Sequence, residues 1–537
     1  MALDSSGESQ SMLSYHPENL DKTAKAKDIS DDIENNNSDE KESCSIGHET
    51  PNTQYRLNSK GVFAQFMVTG AVFLLSAGVG MPIGYSAILL PQLSEINGTL
   101  RTDQELGSWI ASVHSLATPV GSLLSGPLIE TIGRRGSLQL GAIPLCVGWI
   151  VMGFAENISS ILVGRVVSGL AVGLIAVPAQ VLVGEIADPT IRGFLVGGSF
   201  AAYCFGILLV YAFGASFKWS TVAFCSIIFP GLALIALSLV HESPAWLVRR
   251  KNVEKARKAL LWLRGGDVEQ VEIEIVILQA RARADNARHS EANTWRDKIS
   301  SSLNLIFNRG VIKPFIIINI FNILQVSCGT YIVVFYAVDL INDIAGGNSI
   351  DSYLAALITG VIRAIFCIVG CALLLKIGRR LLGLLSASLT AVASLILAAY
   401  LMAKKEESPS DKYILGIFLL IYVAANTAGL FALPGIMIGE LLPQRARGIS
   451  AGFTFFIFNL FLFVVTKSFP TVNTAVGISG IFLIFGTAGI IEALFIYLAV
   501  PETKDRTLQE IEDYFQKDNF FWVTREKRPH EMFSSQS

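Results

Sequence analysis

The chain has 537 residues, of which 52% are hydrophobic and only 16% charged, and its formal net charge at pH 7 is −2. This composition excludes an ordinary soluble globular protein, whose surface needs more polar side chains. The charges are crowded into short islands between apolar runs of about 20 residues, the length that an α-helix needs to cross the hydrocarbon core of a bilayer. The composition therefore indicates a helical membrane protein.

In chain order, residues 1–60 are polar and acidic, lack the apolar core of a signal peptide, and are predicted to form a disordered cytoplasmic tail. Two six-helix bundles are predicted at 61–240 and 313–500, joined by a cytoplasmic helical linker at 241–312 and followed by a cytoplasmic tail at 501–537. The fold class is therefore an all-α membrane protein with twelve transmembrane helices. The predicted spans are 62–90, 106–129, 137–155, 159–184, 194–214, 219–240, 313–338, 353–376, 381–402, 413–439, 449–470 and 476–499.

Lys and Arg residues are concentrated in the linker and in three loops of the same parity, where pairs of arginines stand at 134–135, 379–380 and 445/447. Short cytoplasmic loops hold the excess of positive charge, so both termini are predicted to be cytoplasmic. Nothing in the tails redirects the chain from the plasma membrane. The sequon Asn97-Gly98-Thr99 falls in the first outer loop, and Asn97 is a candidate glycosylation site.

The sequence has no metal-ligand spacing, nucleotide-binding glycine loop or Ser/His/Asp arrangement. We expect no enzyme, no cofactor, no metal and no nucleic-acid partner. Six of the seven cysteines fall in predicted spans, so no extracellular disulfide framework is visible.

Short loop motifs of the first half recur about 250 residues later, as in duplicated transporters. The three pairs are Gly133-Arg134-Arg135 with Gly378-Arg379-Arg380, Glu185 and Arg192 with Glu440 and Arg447, and His241-Glu242-Ser243-Pro244 with Pro501-Glu502-Thr503-Lys504. The two halves are therefore predicted to be pseudo-symmetric.

The charges in these loops stand at unfavourable helix ends. Glu185 and Glu440 are at predicted C-termini, whereas Arg134 and its counterparts are at N-termini, each the wrong end for the helix dipole. Pairing beneath the bundle makes the arrangement favourable, and we predict a cytoplasmic gate that clamps the two halves together. Independently solvated charges are the alternative. The predicted gate residues are Glu130, Arg134, Arg135, Glu185, Arg192, Arg379, Arg380, Glu440 and Arg447.

With Gly164-Arg165 opening span four, Glu242-Ser243-Pro244-Ala245-Trp246-Leu247, and Gln325 through Gly329 in span seven, these motifs resemble the sugar porter family of the major facilitator superfamily. The resemblance covers about 62–506. Within that family, the stretches 335–339 and 447–470 look most like insect facilitated trehalose transporters.

The resemblance implies a two-lobed bundle that moves a sugar by alternating access from a site near the membrane midplane. The partners we expect are a small-molecule sugar and the lipid bilayer, and we expect a monomer. A buried polyol needs hydrogen-bond partners for its hydroxyls and an aromatic face for its C–H surface. Gln325 occupies the first position of the family's span-seven glutamine pair, although a helix–helix hydrogen bond is the alternative for this residue. The candidate sugar-binding residues are Gln325, Asn322, Asn426, Asn459, Tyr331, Phe335 and Tyr336.

Several positions depart from the family pattern. Val326 replaces the second glutamine, Tyr331 an asparagine, Gly435 a span-ten tryptophan and Phe200 a span-five glutamine. These losses make a glucose-type pocket doubtful. A wider pocket at Gly435 that suits a disaccharide is one interpretation, and the alternatives are another polyol as substrate or the loss of transport. In the second Gly-Arg-Arg loop, the counterpart of Glu130 is Leu375, which predicts a weaker clamp there.

Proton-coupled members carry an aspartate directly after Gly-Tyr in span one, but here Gly84-Tyr85 is followed by Ser86 and the span has no acid. A uniporter is therefore favoured. One alternative is a proton-coupled symporter that uses His114, Glu492 or Asp339, although His114 is readily explained as a packed polar group. A second alternative is a sensor that binds sugar without transporting it. Arg363 is an unassigned charge in span eight, either functional or bound to a helix end.

Overall fold

The structure is a computed structural model that describes residues 59–94, 102–188, 191–289, 309–345, 352–403, 411–443, 447–504, 506, 508–516 and 521. The predicted N-terminal tail up to residue 58, Asn97 and nearly all of the chain after residue 516 lie outside the described residues. The side chain of Arg447 also lies outside them.

All regular structure in these ranges is helical. The first half contains α1 (Ser59–Ser94), α2 (Gln104–Ile132), α3 (Arg134–Gly153), α4 (Ile158–Ile186), α5 (Arg192–Gly214), α6 (Trp219–Ser226) and α7 (Ile228–Leu239). Between the halves lie α8 (Pro244–Arg249), α9 (Val253–Leu263) and α10 (Val268–His289). The second half contains α11 (Arg309–Ser327), α12 (Ile332–Phe335), α13 (Ala337–Ala345), α14 (Ser352–Lys376), α15 (Arg379–Ala403), α16 (Asp411–Ala428), α17 (Leu433–Leu441) and α18 (Arg447–Ala499), and α19 (Leu508–Gln516) follows.

Ten helical stretches within the described ranges are long and apolar enough to cross a membrane. One of them, α18, contains Gly477 in a non-helical conformation with φ of 70°, which divides it into two spans. The remaining span is α2, which is long enough but is rich in Ser and Gly. The described residues therefore provide a helical stretch for each of the twelve predicted spans.

Small residues explain the composition of α2. A Cβ atom at Gly121 would lie 2.1 Å from the Leu170 carbonyl oxygen of α4, and one at Gly173 would lie 2.1 Å from the Thr118 carbonyl oxygen. The backbones of α2 and α4 are therefore in direct contact, as is common where helices associate in lipid. Because this face of α2 meets protein, it needs little apolar bulk.

Two spans predicted as continuous are broken near their centres. Predicted span seven is α11 to α13, interrupted between 327 and 332, and Gly329 supplies the φ of 80° that this break requires. Predicted span ten is α16 followed by α17, interrupted between 428 and 433. Both breaks leave helix-end backbone groups without helical partners inside the membrane, so other groups must satisfy them.

Residues 59–64 and 244–289 belong to a compact unit separate from the membrane body. Its core includes Leu260, Val271 and Ile275, and an ion pair of 2.7 Å joins Arg264 to Glu274. The domain boundaries predicted from the sequence stay predictions.

Candidate functional site

Three repeated loop motifs of the first half meet in one polar assembly. The Arg134 guanidinium lies 2.9 Å from a Glu185 carboxylate oxygen, and Ser243 donates its hydroxyl hydrogen to the same carboxylate. The Glu242 carboxylate accepts hydrogen bonds of 3.0 Å from the backbone N–H groups of Arg134 and Arg135. Glu242 therefore places a negative charge at the N-terminus of α3, the end that favours it.

The second half repeats this assembly group by group. Arg379 lies 2.8 Å from Glu440, and Thr503 donates to the same carboxylate. The Glu502 carboxylate accepts from the backbone N–H groups of Arg379, at 2.9 Å, and Arg380, at 3.2 Å. Each N-terminal arginine that seemed misplaced in the sequence is thus held beside two carboxylates. The motif repeat signalled the third partner, but sequence reasoning missed the role of Glu242 and Glu502 as helix caps.

These ion pairs each lie within one half of the chain. Glu130 lies 3.5 Å from Arg134, one helical turn away, and Arg192 donates to the Ala187 carbonyl at 3.3 Å. The predicted clamp between the two halves therefore stays a prediction. The two assemblies in the structure each join helices of one half to one another.

A buried arginine takes the place where span one lacks an acid. Arg165 of α4 is fully buried and donates to the carbonyls of Ile110, at 3.0 Å, and Ala111, at 3.2 Å, and also to the Pro82 carbonyl and the Ser86 hydroxyl. All four acceptors are neutral. Ser86 thus contributes an acceptor without contributing a titratable group.

Gln325 connects the two broken spans. Its side-chain nitrogen donates to the carbonyl oxygens of Leu430, at 2.6 Å, and Phe431, at 3.1 Å, in the break between α16 and α17. These carbonyls lack helical partners, so the amide satisfies the backbone of a neighbouring helix. For this nitrogen, the geometry favours the helix–helix alternative over direct sugar binding.

Among the candidate asparagines, Asn426 is distinct. The side-chain nitrogens of Asn322 and Asn459 donate within their own helices, to the carbonyls of Ile318 at 3.1 Å and Phe455 at 2.9 Å. Asn426 is 1% exposed, and neither its amide oxygen nor its amide nitrogen has a hydrogen-bond partner among the described residues. A buried amide without partners is unfavourable unless a ligand or water completes it. Asn426 is therefore the strongest ligand candidate of the three.

Aromatic side chains from both halves of the protein meet around Phe431. The Tyr331 ring lies 5.9 Å from that of Phe431 and 5.4 Å from that of Phe458, and the Tyr203 ring of α5 lies 5.7 Å from that of Phe431. The rings of Tyr203, Tyr331 and Phe431 belong to a group of packed side chains that we call the central cluster. Its buried members are Cys204, Cys367, Cys371, Phe431 and Ala432, and its partly buried members are Phe200, Ala201, Tyr203, Tyr331 and Ile436. Sequence reasoning included Tyr331 but missed Tyr203, although a tyrosine inside a span was a visible signal.

Tyr336 and Phe335 lie in packed positions. The Tyr336 hydroxyl donates to the Thr466 carbonyl at 3.0 Å and its ring lies 4.7 Å from that of Phe469, while Phe335 is fully buried. These contacts are with α18 of the same half.

The wider pocket expected at Gly435 is wrong at that position. A Cβ atom there would lie 2.5 Å from the ring of Phe200, so this ring from α5 occupies the space beside the glycine. The two departures from the family pattern are therefore complementary: a small residue faces a large one, and the volume stays filled.

On the predicted outer side, α2 contacts the α18 segment of the other half. The Gln104 side chain donates to the Pro470 carbonyl at 3.2 Å. The Lys467 ammonium donates to the Ser108 hydroxyl at 2.7 Å and lies 4.3 Å from the centre of the Trp109 ring. These contacts hold the halves together at that end in the described conformation.

The structure describes the three titratable residues that the proton-coupled alternative would use. His114 contacts the Ser168 hydroxyl through Nδ1 at 3.3 Å. Glu492 is fully buried; one of its oxygens contacts the Cys328 thiol at 2.8 Å and the other has no hydrogen-bond partner among the described residues. Asp339 lies in α13, on the predicted outer side of the break.

Known structures share this architecture. The proton:xylose symporter XylE bound to 6-bromo-6-deoxy-D-glucose matches with a TM-score of 0.70 and 22% sequence identity, over 85% of this chain and 100% of that one. An inward-open form of XylE from E. coli matches with a TM-score of 0.66 over 84% of this chain and 99% of that one. The chain therefore shares the fold of XylE, which is described as a major facilitator superfamily protein.

Sequence comparison gives the family. The sequence profile described as "Sugar (and other) transporter" matches residues 49–515, and the chain belongs to this family. It is 32% identical over 456 residues to the facilitated trehalose transporter Tret1-2 homolog of Drosophila simulans, covering 84% of this chain and 90% of that protein. It is 30% identical to the facilitated trehalose transporter Tret1 of Anopheles gambiae, of which it spans only 56%.

Proposed function

We propose that the chain is a facilitative sugar carrier that works by alternating access, without catalysis, and that it carries trehalose or a related sugar. Its most similar relatives named above are facilitated trehalose transporters. We further propose the plasma membrane as its location, with both termini in the cytoplasm. The loop positions of Arg134, Arg135, Arg379 and Arg380 support this orientation.

The observation that carries the uniport proposal is the environment of Arg165. In a carrier coupled to protons, a titratable group must gain and lose a proton as the site changes sides. Here the buried guanidinium is hydrogen-bonded to three carbonyls and the Ser86 hydroxyl. The environment of Arg165 supplies no acceptor that exchanges a proton, which supports uniport.

Uptake of radiolabelled trehalose and glucose into oocytes, with external pH varied and surface expression measured, tests the proposal. We expect saturable uptake that follows the sugar gradient and ignores pH. Accumulation against the gradient, driven by external acid, would contradict uniport. Absence of uptake of any sugar by a surface-expressed protein would favour a sugar sensor.

A proton-coupled symporter is the second candidate, because Glu492 is a fully buried carboxyl group with one unpartnered oxygen among the described residues. In that case, Glu492→Gln would abolish acid-driven accumulation while leaving exchange of sugar across the membrane intact. In a uniporter, the same variant leaves the pH-independent rate within about twofold, provided that it folds.

A further inference from the structure

Arg363 lies on the face of α14 that contacts the other half of the protein. One turn before it, a Cβ atom at Gly360 would lie 3.0 Å from the Tyr211 ring of α5. One turn after it, Cys367 packs against Cys204 in the central cluster. Because residues three or four positions apart share a helix face, Arg363 is directed between α14 and α5, at the depth of the central cluster.

The guanidinium of Arg363 is buried without compensation. The side chain is 3% exposed, and its Nη1 has no hydrogen-bond partner among the described residues. Within the same described part of the chain, no carboxylate lies at ion-pair distance from it. An isolated charge in this environment is strongly unfavourable, and intramembrane arginines normally pair with an opposite charge or with backbone carbonyls.

Arg165 is a buried arginine of the same protein whose charge is stabilised by hydrogen bonds. Its guanidinium reaches three backbone carbonyls and one hydroxyl. Arg363 instead lies within electrostatic range of tyrosine hydroxyls, those of Tyr203, Tyr211 and Tyr331 among them. Backbone carbonyls therefore account for the burial of the Arg165 charge, and no hydrogen bond to a carbonyl among the described residues does so for the Arg363 charge.

The other polar groups near Arg363 fit the same kind of ligand. Tyr422, which is also within electrostatic range of Arg363, lies one turn before Asn426 on α16. The Asn426 amide is buried with both polar atoms unpartnered in the described structure. The hydroxyls of Tyr211 and Tyr422 already donate to the carbonyls of Val334 and Cys328. The region thus offers one fixed positive charge, an amide that donates and accepts, and the hydroxyls of Tyr203 and Tyr331, beside the aromatic ring of Phe431.

We propose that Arg363 is the anion subsite of the transport site, and that the chain carries a sugar bearing a negatively charged oxygen group, either a carboxylate or a phosphate. The planar guanidinium binds such a group through two parallel hydrogen bonds, while Asn426 and the aromatic rings contact the sugar ring. The anion supplies the charge that the protein lacks at Arg363. This proposal rests on sugar transport as proposed above and specifies the substrate class.

Uptake and current measurements in oocytes that express the full chain test the proposal. The probes are glucuronate, glucose 6-phosphate, glucose and trehalose, and the variants are Arg363→Gln, Arg363→Lys and, as the matched control for loss of one positive charge, Lys218→Gln on an exposed loop. Entry of an anion without a compensating proton produces an outward current. We expect glucuronate or glucose 6-phosphate to produce this current, and Arg363→Gln to reduce it by about tenfold or more.

The control variant and Arg363→Lys distinguish the subsite from a general charge effect. Lys218→Gln should leave the current unchanged, and Arg363→Lys should retain part of it because the charge remains while the paired hydrogen bonds are lost. The two anions separate a carboxylate subsite from a phosphate subsite.

The anion proposal can fail without the transport proposal. If glucose or trehalose is taken up, but neither anion is carried or competes and Arg363→Gln changes nothing, the subsite is wrong and transport stands. If surface-expressed protein carries no probe, transport fails. Thermal unfolding of the detergent-purified full chain then decides the subsite alone: a rise in melting temperature with glucuronate or glucose 6-phosphate, absent in Arg363→Gln, supports it, and no rise overturns it.

Discussion

At the scale of single residues, two buried arginines of the membrane body, Arg165 and Arg363, are held in opposite ways. Arg165 donates to the carbonyls of Ile110 and Ala111 and to the Ser86 hydroxyl, so its charge is spread over neutral dipoles. Arg363 has an unpartnered nitrogen in the described structure. Ser86 is thus the position where one substitution would introduce a titratable group beside an existing charge.

Ser86→Asp should make sugar uptake depend on pH. The new carboxyl group would lie beside the Arg165 guanidinium, where it binds or releases a proton as the site is exposed to each side of the membrane. We expect uptake at about pH 5.5 to exceed uptake at about pH 8 by roughly threefold or more, whereas the unsubstituted chain shows no difference.

Ser86→Asn is the matched control, because asparagine is of the size of aspartate but does not titrate. Both substitutions disturb the packing around Arg165 equally. An equal pH response in the two variants, or no response in either, would show that the residue at this position does not determine coupling.

At the scale of helices, the breaks in spans seven and ten depend on each other. Gln325, at the end of α11, satisfies the Leu430 and Phe431 carbonyls that the break between α16 and α17 leaves free. Ser386 of α15 contributes further, because its hydroxyl oxygen accepts from the Leu430 N–H at 3.0 Å. The unwound backbone is therefore held by side chains of two neighbouring helices.

Gln325→Leu should lower stability more than it weakens sugar binding. Each buried carbonyl left without a hydrogen-bond donor lowers the free energy of unfolding by about 1–3 kcal/mol, and this variant leaves two such carbonyls. We expect a clear fall in the melting temperature of the detergent-purified chain, with KM for sugar uptake changed by less than about threefold.

Asn322→Leu is the comparison for that measurement, because the Asn322 amide nitrogen donates only to Ile318 of its own helix, whose carbonyl keeps its place in the helical ladder. Its melting temperature should fall less. The opposite pattern for Gln325→Leu, an unchanged melting temperature with a strongly raised KM, would assign Gln325 to the sugar instead.

At the scale of the whole molecule, the two halves meet through α5 and α14 as well as at their outer ends. Cys204 of α5 and Cys367 of α14 belong to different halves, and the two side chains lie together in the central cluster. Alternating access requires the halves to rotate against each other around this region.

Oxidation of this thiol pair should arrest transport. Copper phenanthroline takes two electrons, and two protons are released, as the sulfur–sulfur bond forms between Cys204 and Cys367. We expect sugar uptake to fall by about tenfold and dithiothreitol to restore it, because the cross-link fixes the halves in one arrangement.

Cys204→Ser and Cys367→Ser should each be insensitive to the oxidant. Cys371→Ser should remain sensitive, and mass spectrometry should find the peptides of Cys204 and Cys367 joined. Inhibition that persists in Cys204→Ser would place the sensitive thiols elsewhere in the chain.

The sequence predicted the helices and the loop assemblies better than it predicted the centre. Apolar runs and loop charges depend on local composition. The motif repeats found from spacing contain Arg134, Glu185, Arg379 and Glu440, which the structure joins in two ion pairs, each within one half. The centre depends on which side chain fills which space across two helices. Phe200 and Gly435, 235 positions apart in the sequence, gave no sign that one fills the space left by the other.

The helix caps of Glu242 and Glu502 have a mechanical consequence. Each carboxylate follows the sixth span of its half and holds the first backbone amides of that half's third span. The end of each six-helix bundle is thereby hydrogen-bonded to the third helix of the same bundle, which stabilises the bundle against unfolding from its last helix. A displacement of an ångström near the membrane midplane then becomes a larger displacement at the membrane surface, because a body that turns as one piece moves furthest at the greatest distance from its pivot.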